Sequence, residues 1–227
     1  MIFYNEREAI KDCLNNPKLI FQLIKEGYIE TVDKVLNKNN DLINTTDENG
    51  NNIMMKLLSK KYYNSVLNNM NNKKWDINHQ NKDGNTFSHI LVSLDYLKVA
   101  KIFEKIIKNK NLLINTKNKK NMTILDIAIL NNQLCMATKI LKDKRFYDID
   151  ILTFKNMYDK YINNTYYGKY SKLNNLEIIV NNLEKKNNLK PRMKTLLSLI
   201  NNNIENIKEE INLNKSTNID LIIESLV

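Results

Sequence analysis

Glycine and proline are nearly missing from this chain, with four and two in 227 residues. Sheets of short strands need a turn every few residues, so the scarcity excludes an ordinary all-β fold and favours helices joined by short polar links. Cysteine is as rare, and Cys13 and Cys135 lie far apart with no CxxC between them. That leaves no disulfide framework; reduced, buried thiols in an intracellular protein are the expectation. The two histidines, His79 and His89, do not complete a four-ligand zinc spacing with those cysteines. Isolated glycines form neither a P-loop nor a dinucleotide loop, so no cofactor and no metal are expected. No apolar run is long enough to span a bilayer. The opening MIFYNEREAIKDC is charged by its sixth residue and is unlike a signal peptide. A soluble, cytoplasmic protein with no membrane partner is the expectation.

Asparagine and lysine are abundant, often in mixed runs such as Asn68–Lys74 and Asn109–Asn111. The formal net charge is +10, carried by lysine far more than by arginine (Arg7, Arg145 and Arg192). Lysine is a hydrated point charge, whereas arginine supplies planar bidentate recognition. The charge therefore suits loose attraction to acidic surfaces better than sequence-specific reading of nucleic acid.

The chain repeats itself. An Ile-Asn pair stands six positions ahead of a Gly or Asn three times: Ile43-Asn44 before Gly50, Ile77-Asn78 before Gly84, and Ile114-Asn115 before Asn121. Ile149-Asp150 closes the series, and Ile43, Ile77, Ile114 and Ile149 are spaced by 34, 37 and 35 residues. Gly, or Asn in its place, meets the positive φ of a hairpin turn. Two residues later Asn52, Thr86 and Thr123 are of the type that caps a helix. Helix pairs are expected over 18–26 and 28–37, 53–60 and 62–69, 86–93 and 96–108, and 123–130 and 133–143. A leading helix over 5–14 and a helix start at Asn16-Pro17 precede them. Gly27 is placed at the bend of the first pair. Amphipathic stretches over 151–162, 176–186, 193–202 and 204–211 predict further helices.

The stretch Asp83-Gly84-Asn85-Thr86-Phe87-Ser88-His89-Ile90-Leu91 resembles the ankyrin-repeat pattern, with Phe87 and Ser88 where Pro and Leu are usual. Asn121 to Ala128 is similar, with Asp126 where His is usual, and Gly27 to Leu36 resembles the family's second helix. The resemblance covers residues 16–150 as about four units. It implies an all-α fold: an ankyrin-repeat solenoid of helix-turn-helix units with hairpin loops. Residues 1–15 form an N-terminal cap helix and residues 151–227 a C-terminal helical cap.

The resemblance further implies a non-catalytic protein-binding scaffold, not an enzyme, whose hairpin tips and first helices line a concave face. Carried over by position, that face comprises Glu48, Asn49, Asn51, Ser59 and Lys60, then Lys82, Asp83, Asn85, Ser93 and Leu94. The fourth unit adds Lys119, Lys120, Met122, Leu130 and Asn131. A polar or acidic protein is the expected partner. His89 is expected to bond turn backbone, and His79 to lie exposed in a hairpin. A Cys135–His89 nucleophile pair requires both to leave framework positions.

Two alternatives come from other classes. Lys98, Lys101, Lys105 and Lys108 share one helical face and, with Lys110, Lys117, Lys119 and Lys120, offer a strip to nucleic acid. The aromatic that falls among them, Phe103, belongs to the apolar run, so the lysine face offers no ring for base stacking, which favours a solvated face. The segment Leu189–Leu197 resembles an F-box, which would make the chain a ubiquitin-ligase substrate adaptor. Tyr158, Tyr161, Tyr166, Tyr167 and Tyr170 form either an interface or the seal of a cap.

Overall fold

The structure is a computed structural model that describes residues 5–131, 133–146 and Asn181. The helices expected beyond residue 150, the Ile149-Asp150 pair, the five tyrosines and the F-box-like segment lie outside these residues. Contacts divide the chain into two units, Met1–Met136 and Ala137–Val227.

Among the described residues the secondary structure is helical, with one isolated bridge between Thr46 and Asn52 and no strand. Helix α1 (Glu6–Asn15) starts where the Asn5 side chain accepts from the Arg7 N–H, with Glu6 and Glu8 at the positive end of the helix dipole. It packs on α2 (Leu19–Glu26) and α3 (Ile29–Lys38). Gly27, at φ +86°, ends α2 in the left-handed conformation that residues with a Cβ resist. Asn16 and Pro17 do not open α2 as expected. Their carbonyls accept from Leu19 and Ile20 in a turn, and α2 begins at Leu19 without a side-chain cap.

A short 3-10 helix (Asn40–Asn44) leads to two more pairs and two further helices, the last of which runs across the boundary of the two units. Helix α4 (Ile53–Ser59) pairs with α5 (Tyr63–Asn69), and α6 (Phe87–Leu91) with α7 (Tyr96–Ile107). Helix α8 (Ile124–Leu130) precedes α9 (Leu134–Lys142). First helices meet first helices, α2 to α4 to α6 to α8, and second helices meet second helices, α3 to α5 to α7.

Burial follows from that two-row stacking. First helices are enclosed on most sides: α4 buries Ile53, Met54, Met55, Leu57 and Leu58, and α8 buries every residue from Ile124 to Ile129. Second helices bury one stripe. On α7 this is Val99, Ile102, Phe103 and Ile106, while Leu97 is 86% exposed beside exposed Lys98, Lys101, Lys105 and Lys108. The long 37-residue spacing coincides with α7, which has 12 residues against 7 in α5. Helix α6 is shorter than the sequence suggests because the chain turns after Leu91.

Polar side chains also join successive pairs. Asp33 of α3 accepts from the Ser65 hydroxyl and from the amides of Asn68 (3.1 Å) and Asn69 (2.8 Å) on α5.

Candidate partner-binding surface

The three hairpins are built alike, residue for residue. In each, one Asx side chain accepts two backbone N–H groups and closes the loop. Asp47 Oδ1 takes Asn49 (3.0 Å) and Asn51 (2.9 Å). Asn81 Oδ1 takes Asp83 (3.0 Å) and Asn85 (3.0 Å), and Asn118 Oδ1 takes Lys120 (2.9 Å) and Met122 (3.1 Å). The residue three positions on lies at positive φ: Gly50 at +74°, Gly84 at +75° and Asn121 at +58°. Two further on, Asn52, Thr86 and Thr123 cap α4, α6 and α8 by accepting from Met55, His89 and Asp126.

Neighbouring hairpins are bonded to one another. Lys82 donates its backbone N–H to the Asn49 carbonyl, and Lys119 donates to the Asp83 carbonyl, each at 3.0 Å. The Asn81 amide donates to Asn51 and the Asn118 amide to Asn85, each at 2.8 Å. Behind the tips, Asn44 donates to the Lys74 carbonyl and accepts from the Asp76 N–H. Asn78 repeats this against Asn111 and Leu113. The Ile-Asn pair is thus an apolar anchor followed by a bridge to the next unit.

These bonds sort the sequence-derived residues. Glu48, Asn49, Lys82, Asp83, Lys119 and Lys120 are exposed at the tips. Asn51 and Asn85 are half-buried, and both act as acceptors in the ladder. Ser59 and Ser93 donate to the carbonyls of Lys56 (2.9 Å) and Ile90 (2.7 Å), and the Asn131 amide donates to Ile127 (2.8 Å). Those three side chains serve the ends of the first helices. Lys60, Leu130 and half-buried Leu94 and Met122 complete the set. The sequence reading missed Asp47, Asn81 and Asn118, although each stands three positions before its turn residue.

His89 bonds backbone on both sides. Nε2 lies 3.1 Å from the Met122 carbonyl, which can only accept, and Nδ1 lies 3.2 Å from the Thr86 N–H, which can only donate. The ring is therefore neutral and protonated on Nε2. Burial pushes its pKa below 6.5, against the opposing pull of the Met122 and Thr116 carbonyls. With both nitrogens engaged it cannot serve Cys135 as a base.

Two expectations need correction. Cys135 is exposed rather than buried, because it lies on the open side of α9; Cys13 is buried, and burial with the Asp12 charge raises its thiol to about 11. His79 is half-buried, not exposed, because its Nε2 sits 2.7 Å from the Gly50 carbonyl of the preceding hairpin.

Among the described residues no cluster of three or more His, Cys, Asp or Glu could hold a metal ion. None of the helices there is long and apolar enough to cross a membrane. No protein-family model matches the chain, and no curated protein matches it significantly.

Proposed function

We propose that this chain is an ankyrin-like repeat solenoid acting as a non-catalytic scaffold that binds a partner protein across its hairpin tips. The observation that supports this reading is the hairpin ladder. Backbone and amide bonds between loops fix the spacing of Glu48, Asn49, Lys82, Asp83, Lys119 and Lys120, while those side chains stay exposed. Ordering a surface in advance lowers the entropic cost of binding.

The tip charges change along the row, from Glu48 through the Lys82–Asp83 pair to Lys119 and Lys120. A partner with an acidic patch toward the fourth unit fits that gradient. The test is affinity capture with the full chain and with a variant carrying alanine at Glu48, Lys82, Asp83, Lys119 and Lys120. Partners held by the native chain should be lost from the variant. Retention of the same partners at the same yield overturns the reading.

A further inference from the structure

We propose that Asn49 is a site of spontaneous deamidation, in which the Gly50 backbone nitrogen attacks the Asn49 side chain at a rate set by opening of the junction between the second and third hairpins. The chemistry stands whether or not the hairpin tips bind a partner.

Asn49-Gly50 is the single Asn-Gly pair in the chain. A Cβ on the attacking residue hinders ring closure onto the preceding side chain, and glycine has none. Asn49 is exposed, and no hydrogen bond engages its side-chain amide. Asn51 and Asn85 differ on both counts: their side chains accept in the ladder, and Asn52 and Thr86 follow them. The step needs no co-reactant but water. The Gly50 nitrogen bonds to Cγ of Asn49, the Cγ–Nδ2 bond breaks, and ammonia leaves with the proton that the nitrogen carried. Water then opens the cyclic imide at either carbonyl, giving aspartate or isoaspartate.

The fold holds the reacting peptide group away from that geometry. The Gly50 N–H donates to the Asp47 carbonyl at 2.9 Å, which closes a turn over 47–50. Positive φ falls on Gly50 and not on Asn49, so the turn is type I and the Asn49 ψ is about 0°, with the nitrogen turned away from Cγ. Bringing it onto Cγ rotates the peptide group between the two residues, and both ends of that group are tied. Its N–H is held by Asp47, and its oxygen accepts the Lys82 N–H at 3.0 Å. The next carbonyl, that of Gly50, lies 2.7 Å from His79 Nε2. Lys82 and His79 both belong to the third unit's hairpin, so the reaction waits on a local separation of the two units.

The product acts back on the same junction. In isoaspartate the chain runs through the former side chain, and the carbonyl that accepted from Lys82 becomes a free carboxylate. Either product places a second negative charge beside exposed Glu48, which steepens the change of sign along the tips.

The full-length protein is incubated at neutral pH in its native state, in denaturing urea, and across a sub-denaturing urea series. Conversion at Asn49 is followed by peptide mapping with fragmentation mass spectrometry. The native chain should convert at least about tenfold more slowly than the unfolded one, since the bonds to Asp47 and Lys82 must open first. Across the sub-denaturing series its rate should rise in step with hydrogen exchange of the Lys82 amide. Lys82→Pro removes that N–H at a turn position where proline is favoured, and should convert about threefold to tenfold faster than the native chain. The urea series decides independently of how well that variant folds. Asn49 left intact in the unfolded chain, equal native and unfolded rates, or a native rate that does not rise with Lys82 exchange each overturns the proposal. So does a folded Lys82→Pro variant that converts at the native rate.

Discussion

At the scale of single residues, the cap position shows how one change of side chain alters stability. Thr86 and Thr123 each join a reciprocal capping box, with His89 and Asp126 reaching back to the cap N–H. In the second unit the partner is Met55, and the cap is Asn52, fully buried with its Nδ2 unpartnered. Asn52→Thr keeps the oxygen that accepts from Met55 and removes the orphan amide. It should stabilise the protein by about 1 kcal/mol, read from the urea midpoint at unchanged slope. His89 sets a pH window. Its folded pKa lies below 6.5, so its contribution is complete above 6.5 and is lost as pH falls through the folded value. Asp47 acts lower. Burial alone would raise its carboxyl, but bonds from Lys56 and Asn51 hold it below 3.8, so its share is lost only in more acidic solution. Unfolding free energy measured between about pH 7 and pH 5 should therefore fall in the native protein and not in His89→Gln.

At the scale of the element, the hairpin is where sequence and structure part company. Gly50, Gly84 and Asn121 were legible because positive φ restricts residue choice, and the caps were legible because few side chains suit that position. The bonds between hairpins were not legible. Lys82 and Lys119 read as partner-contact residues at the tips, yet their backbone N–H groups also hold neighbouring loops, and only three-dimensional register reveals this. Asn51 and Asn85 likewise looked like free contact residues until Asn81 and Asn118 were placed against them. Register also separates glycines of the same conformation. A Cβ on Gly84 would lie 2.8 Å from the Lys119 nitrogen, whereas one on Gly27 would meet only the Tyr62 hydroxyl at 3.6 Å. Gly27→Ala should cost the ordinary left-handed strain of about 1 kcal/mol. Gly84→Ala should cost about 1–2 kcal/mol more, because the Asp83–Lys119 bond must open. Equal losses in thermal unfolding would mean that the ladder carries no energy.

At the scale of the whole molecule, the described part of the first unit is held together by links between successive neighbours. Helices of each row touch those of the adjacent pair, and Asn44, Asn78, Asp33 and the hairpins bridge the same steps. Stability of such an array is a sum of unit and neighbour terms, and opening proceeds step by step. Amide hydrogen exchange measures those steps. The N–H groups of Lys82 and Lys119 belong to exposed residues in loops, where exchange is ordinarily fast. Here each closes a bond across a junction, the first from the third unit back to the second and the second from the fourth back to the third. Both should exchange slowly, at the rate of the helix amides beside them, since release requires neighbouring units to separate. In Gly84→Ala the Lys119 amide should speed up while Lys82, one junction away, stays nearly as slow. Fast exchange at both positions in the native protein would show the hairpins to be independent loops, and would remove the preordered surface on which partner binding is proposed to rest.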